Sequence, residues 1–223
     1  MFDPGTGPPP TEALKYLRPE EVERLRDHLR DEADLGRLRA LRLPVRDEAL
    51  FTVALTGGLR ASELAHLTVA DLDLGRTGPK VVVRHGKGGK RRDVTLPSDL
   101  RPLLKRYVDW LPAAGLSADP TSPLFPGRDG EALTRNGVWR AWTRLLDAAG
   151  IEHRPVHAAR HTASMALYEA TGNLNTVQKH LGHTKSALTL QNYIHNPEPT
   201  EGRMRAGVDA AWPAYVPGTP EKS

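Results

Sequence analysis

The 223-residue chain is 39% hydrophobic and 26% charged, carries a net charge of +4 and contains no cysteine. That balance fits one globular domain large enough to bury a core, and it excludes disulfides, thiolate nucleophiles and cysteine-ligated zinc or iron–sulfur sites. No apolar run approaches the roughly 18 residues needed to cross a membrane, and the start, MFDPGTGPPPTEA, lacks the basic-then-apolar layout of a signal peptide, so a cytoplasmic protein is expected.

Residues 1–15, rich in Pro and Gly, read as a disordered leader. Order is expected to begin at LRPEEVERLRDHLRDEADL, where Leu17, Val22, Leu25 and Leu29 recur at helical spacing behind an acidic first turn. A second helix is predicted from near Val45 to the Gly57-Gly58 pair, and a short one over ASELAHL. VVVRHGKGGKRRDVTLP then changes period: two β-rich runs flank a Gly-Lys-Gly-Gly turn, which makes a hairpin. Ser98 is placed to cap a helix through Leu111, and residues 112–133 form a Pro/Gly-rich connection with a candidate strand at Leu124-Phe125. Thr134 caps the next helix, with Val138, Trp139, Trp142, Leu145 and Leu146 on its inward face. Helices are predicted over about 157–171, 175–182, 186–195 and 200–211. The fold class is mainly α with one small antiparallel sheet or hairpin.

Three stretches carry candidate chemistry. In TGGLRASELAHL, Arg60 stands close behind a double glycine whose turn can expose backbone amides to an anion; the plainer reading is a surface ion pair with Glu63 at i,i+3. In RHGKGGKRR, Lys87 lies between glycines that let its amine approach a ligand, with Arg84 before it and Lys90, Arg91 and Arg92 behind. A basic flexible hairpin suits a phosphate backbone; a solvated turn that keeps a sheet edge soluble would look the same. Residues 157–195 hold five of the nine histidines, and His157, Arg160 and His161 share one side of a helix. A metal site of His157, His161, His180 and His183 is the weaker alternative: Ala158 stands where a zinc peptidase needs its Glu, and Arg160 would repel a divalent ion.

Taken together, L-R-A-S-E-L at 59–64, G-K-G at 86–88, H-A-A-R-H-T at 157–162, L-G-H at 181–183 and Tyr193 resemble, in that order, the tyrosine recombinase (phage integrase) family. The resemblance runs from about residue 16 to 196 and implies a site-specific DNA recombinase that cuts and rejoins strands through a 3′-phosphotyrosyl intermediate. Tyr193 would be the nucleophile, Arg60 and Arg160 would hold the non-bridging phosphate oxygens, and Lys87 would protonate the leaving 5′-oxygen. His157 would assist proton transfer at the tyrosine, His183 would bond the phosphate, and Glu63 would support the first arginine. Arg84, Lys90, Arg91 and Arg92 would contact DNA. Such chemistry needs no metal or cofactor, because fixed guanidinium forks stabilise the charge that builds on the phosphate. A phenol with a pKa near 10 does need a base and a cationic field, and general-acid help to a poor leaving group is worth about 10²–10⁴-fold.

The resemblance further implies double-stranded DNA as partner, a tetramer on synapsed DNA from a chain that is monomeric when free, and residence with the nucleoid. Residues 16–212 would be the catalytic domain and 213–223 a flexible tail, without the family's N-terminal core-binding domain. Residues 200–211 are a candidate for the C-terminal segment that family members exchange between neighbours; packing within its own chain is the alternative. The step from His183 to Tyr193 is ten residues, one longer than is usual in the family. Two alternative functions share these residues: a recombinase-like DNA-binding protein that does not cut, and a type IB topoisomerase-like enzyme that nicks and religates.

Overall fold

The computed structural model describes residues 16–84, 91–182 and 200–212. Helix α1 (Pro19–Leu38) starts with proline at a position where no N–H is needed, and the Glu21 carboxylate accepts the Arg18 N–H at 2.8 Å. Its buried stripe of Val22, Leu25, Leu29 and Ala33 lies on α2 (Arg42–Gly57), which is buried at every position from Val45 to Gly57. Helix α2 begins three residues ahead of the predicted start, because Pro44 falls in the first turn, where the helix tolerates it. It ends as predicted: Gly58 adopts the left-handed conformation (φ 61°) and donates its N–H to Ala54 O.

After the single-turn helix α3 (Ala61–Ala65) comes a three-stranded antiparallel sheet, β1 (Leu72–Asp73), β2 (Lys80–Val83) and β3 (Arg92–Thr95), in the order β1-β2-β3. β2 and β3 are the two arms of the expected hairpin, and its tip, 85–90, lies outside the described residues. Val81 pairs with Val94 and Val83 with Arg92, with Val81, Val83 and Val94 buried. β1 carries no signal in the sequence, since two residues are too few for an alternation to show.

Ser98 does not cap α4 (Arg101–Ala113). It opens a 3-10 turn (Ser98–Leu100), and its N–H and hydroxyl donate to Asp209 at 2.7 and 3.0 Å, so a distant helix takes the group that the local sequence offers as a cap. Leu124 and Phe125 form no strand. Both are buried, and Leu124 O accepts the Tyr107 hydroxyl at 2.8 Å.

Helix α5 (Arg135–Ala148) is capped by Thr134, which accepts the Gly137 N–H at 3.0 Å. Val138, Trp142, Leu145 and Leu146 face inward as predicted, but Trp139 is 53% exposed. It sits at the edge of the apolar arc, and the core space beside it is filled by Trp142 against Phe51, ring centroids 5.4 Å apart.

Helices α6 (His157–Thr171), α7 (Leu174–Leu181) and α8 (Glu201–Ala211) complete the described chain; the predicted helix over 186–195 lies outside it. Met204 and Val208 of α8 join Leu167, Val177 and Leu181 in a small second core, so α8 packs on α6 and α7 of its own chain. Leu17 N–H donates to Thr162 Oγ1 at 2.9 Å, and Arg154, just before α6, pairs with Glu21 at 2.9 Å. These contacts fix α6 against the start of α1.

Candidate active site

Arg60 precedes the first turn of α3, and its neighbour three residues on, Glu63, accepts twice from it: from the backbone N–H at 2.8 Å and from Nη1 at 2.9 Å. The i,i+3 ion pair therefore forms, but it is not a surface pair. The Glu63 side chain is buried, and Arg92 reaches it from β3 with a two-pronged fork, Nη1 and Nη2 each 2.8 Å from a carboxylate oxygen. Burial alone would raise the Glu63 pKa; the Arg92 fork, the Arg60 N–H and the two cationic charges override it and hold it at about 2.

Arg160 arrives on the first turn of α6 and is almost fully buried. It donates from Nη1 to Gly58 O at 2.6 Å and from Nη2 to Leu181 O at 2.8 Å. These carbonyls close α2 and α7, where the last C=O groups of a helix lack partners and carry its partial negative charge. Two helix ends thus hold a guanidinium that has no carboxylate partner among the described residues. Burial, and then the nearby Arg60, lowers its pKa to about 10, which leaves it charged at neutral pH. The junction depends on Gly58: a Cβ there would lie 2.6 Å from Leu181 Cδ2 and 3.2 Å from Ala163 Cβ.

His157 lies on the exposed side of the same helix, edge-on to His161 with ring centroids 4.7 Å apart. Partial burial, His161, Arg160 and Arg60 all lower its pKa, so the ring is neutral at pH 7 and able to accept a proton. A cavity of about 610 Å3 opens here, lined by Arg60, His157, Pro155, Arg135, Asn136 and the exposed Trp139.

His180 is buried on α7. Its Nε2 lies 3.3 Å from Thr56 O, Nδ1 has no partner among the described residues, and burial pushes its pKa down to about 4. It faces the end of α2 through that contact with Thr56 O, and His183, the fourth member of the metal set considered from sequence, lies outside the described residues. No group of three or more His, Asp or Glu side chains converges among the described residues.

Of the expected site residues, Arg60, Glu63, His157 and Arg160 are brought together. Lys87, Lys90, His183 and Tyr193 lie outside the described residues. Among the basic residues of the hairpin, Arg84 is half-exposed and paired with Asp71, and Arg91 is exposed, 3.8 Å from Asp93. Arg92 departs from its expected place on the DNA-facing tip and turns inward to Glu63. The signal was present in the strand period, because Arg92 lies two residues before the buried Val94 and so shares its face.

Residues 15–199 match the model of the phage integrase family. The chain is 38% identical over 155 residues to the tyrosine recombinase XerC of Xanthomonas axonopodis pv. citri, covering 69% of this chain and 48% of that protein. The XerC of Pelobacter propionicus is 34% identical over 156 residues, covering 68% and 48%. Among solved structures, the XerH site-specific recombinase in a post-cleavage complex with palindromic difH substrate superposes with a TM-score of 0.64 at 27% identity, over 78% of this chain and 48% of that one. The XerA recombinase does so with a TM-score of 0.64 at 26% identity, over 85% and 62%. The chain thus spans about half the length of the curated relatives it matches. With the order of its motifs, the gathered arginines and these likenesses in agreement, the chain belongs to the phage integrase family of tyrosine recombinases.

Proposed function

We propose that this chain is the catalytic part of a site-specific DNA recombinase that breaks and rejoins strands through a tyrosine–phosphate link. The observation that carries the reading is an excess of fixed positive charge. Arg60, Arg92 and Arg160 gather around a single carboxylate, Glu63, which the Arg92 fork neutralises, so that Arg60 and Arg160 leave a net +2 beside an open cavity. A phosphodiester brings one negative charge and gains a second as a nucleophile adds, so the surplus fits the transition state better than the ground state.

The steps follow from the groups. Tyr193 attacks phosphorus, a P–O bond to the tyrosine forms, and the bond to the 5′-oxygen breaks. His157, whose pKa is lowered by partial burial and then by His161, Arg160 and Arg60, takes the phenolic proton. Lys87 delivers a proton to the departing 5′-oxygen. Arg60 and Arg160 bind the two non-bridging oxygens, Arg160 from a guanidinium that, among the described residues, spends two of its five N–H donors on helix-end carbonyls and keeps three. His183 adds a further donor to the phosphate. Reversal of the same steps by a 5′-hydroxyl from another strand rejoins DNA without an external energy source. Arg84, Lys90 and Arg91 follow the duplex backbone on the hairpin side. The substrate is double-stranded DNA, two sites are brought together by a tetramer, and the protein works in the cytoplasm at the nucleoid.

The test uses a nicked suicide duplex carrying the cognate site, incubated with protein in EDTA and resolved in SDS. A covalent protein–DNA adduct that survives EDTA and is lost in Tyr193→Phe is the expected result. Absence of the adduct in EDTA with recovery on adding a divalent ion would sink the reading; an adduct that persists in Tyr193→Phe would overturn the choice of nucleophile.

A further inference from the structure

Arg92 is separated by 32 residues from Arg60 and by 68 from Arg160, yet it shares the Glu63 carboxylate with the first and lies close enough to the second for their charges to interact. We propose that Arg92 is a positioning residue of the phosphate site: it clamps Glu63, and through Glu63 fixes Arg60, while supporting the glycine turn that leads to His183. The proposal rests on the recombinase reading above and adds to it a residue whose role would otherwise be DNA contact.

Three observations carry it. First, both terminal nitrogens of Arg92 are spent on Glu63 in a two-pronged fork, and the side chain is only 12% exposed. With only 12% of its side chain exposed, and with Nε buried without a partner among the described residues, that guanidinium presents little surface to a phosphate of the duplex. Second, Glu63 is a shared acceptor. One oxygen takes Arg92 Nη1 and Arg60 Nη1, and the other takes Arg92 Nη2 and the Arg60 N–H. The carboxylate therefore cannot rotate without breaking contacts to both arginines, which fixes the Arg60 side chain in the orientation Glu63 dictates. Third, the opposite flank of Arg92 lies against Gly182, where an added Cβ would overlap Arg92 Cδ and come within 2.8 Å of Nε. That glycine is left-handed (φ 67°) and ends α7 one residue before His183. The same α7 end supplies Leu181 O to Arg160. One side chain on the sheet thus packs between the Arg60 element and the α7 terminus.

The decisive distinction is between acting through Glu63 and touching DNA, and a double-mutant cycle separates them. Arg92→Gln and Arg92→Lys are made in the unsubstituted protein and in Glu63→Gln. Single-turnover cleavage of the suicide duplex and equilibrium DNA binding across a salt series are then measured. Expected is a loss of cleavage of about 10²-fold for Arg92→Gln, the scale of a misplaced catalytic group. DNA affinity and its salt slope should stay unchanged, and no further loss should appear in the Glu63→Gln background. Arg92→Lys, which keeps the charge and loses the fork, should fall between. A salt slope reduced by about one, with losses that multiply in the double variant, would show a phosphate contact and overturn the proposal.

Carbon-detected NMR titration of the Glu63 carboxyl gives a readout independent of activity. In the unsubstituted protein Glu63 stays ionised through the ordinary carboxylate range, and in Arg92→Gln its midpoint moves up into that range. An unmoved midpoint overturns the proposal even if no adduct ever forms, whereas a moved midpoint without any adduct sinks only the recombinase reading.

Discussion

Glu63 keeps a negative charge in a place where burial opposes it, and its cationic neighbours convert that opposition into a pH dependence. Its folded pKa of about 2 lies below the ordinary 4.5. The unfolded chain therefore binds the proton first as pH falls, and the stabilisation, complete above about pH 4.5, drains away toward pH 2. Urea unfolding at a series of acidic pH values should show this decline, with an amplitude on the order of a few kcal/mol, and Glu63→Gln should flatten it. Gly58 is the other residue on which the site turns. Gly58→Ala forces a left-handed backbone on a residue with a Cβ, about 1–2 kcal/mol, and drives that carbon into Leu181 and Ala163 beside Arg160. Thermal unfolding should fall by that amount or more, and cleavage should fall further than the stability loss explains. A cleavage rate equal to that of the unsubstituted protein would contradict the role given to this junction.

At the scale of elements, the site is made by ends rather than faces. The C-termini of α2 and α7 meet at Arg160, and His180 of α7 locks the same junction by its contact with Thr56 O. A histidine with a folded pKa of about 4 against an ordinary 6.5 takes up its proton in the unfolded state first. It therefore costs stability progressively as pH falls from about 6.5 to 4, and costs none above. Replacing it with Leu should remove this dependence. Denaturation of the two proteins at about pH 7 and pH 5 checks it, and an equal slope in both would show that His180 does not titrate this way. The helix periods were readable because each depends on a local pattern: the ends of α2, α5 and α6 fall close to where glycines, Thr134 and the apolar spacing put them. Ser98, Leu124-Phe125 and Trp139 depart from what their local sequence predicts for one reason. Each has a local role on offer, and a partner from elsewhere in the chain (Asp209, Tyr107, or the core space already taken by Trp142) decides against it.

Across the whole molecule, a net charge of +4 is modest, so DNA binding depends on where the charge sits. Three cations gather at the site, while Arg84 and Arg91 stand exposed or half-exposed on the hairpin arms. Each hairpin residue that neutralises a phosphate steepens the salt dependence of binding by about 0.9 in log–log slope. Arg91→Ala and Lys90→Ala should each flatten that slope by about one unit and weaken binding to all sequences alike, whereas Arg92→Gln should leave it unchanged. Fluorescence anisotropy over a salt series tells the two groups apart.

The sequence by itself determined the chemical inventory: which arginines, histidines, lysine and tyrosine are present and in what order, and, for the described residues, on which helices and strands they lie, because periodicity and capping are local properties of the chain. Tertiary structure decided which of those side chains face one another. Arg160 finds its acceptors 102 and 21 residues away, and Arg92 finds Glu63 29 residues away. A cation's role depends on whether its partner is a carboxylate, a helix end or solvent, and that choice is made only when distant segments pack and exclude water from between them.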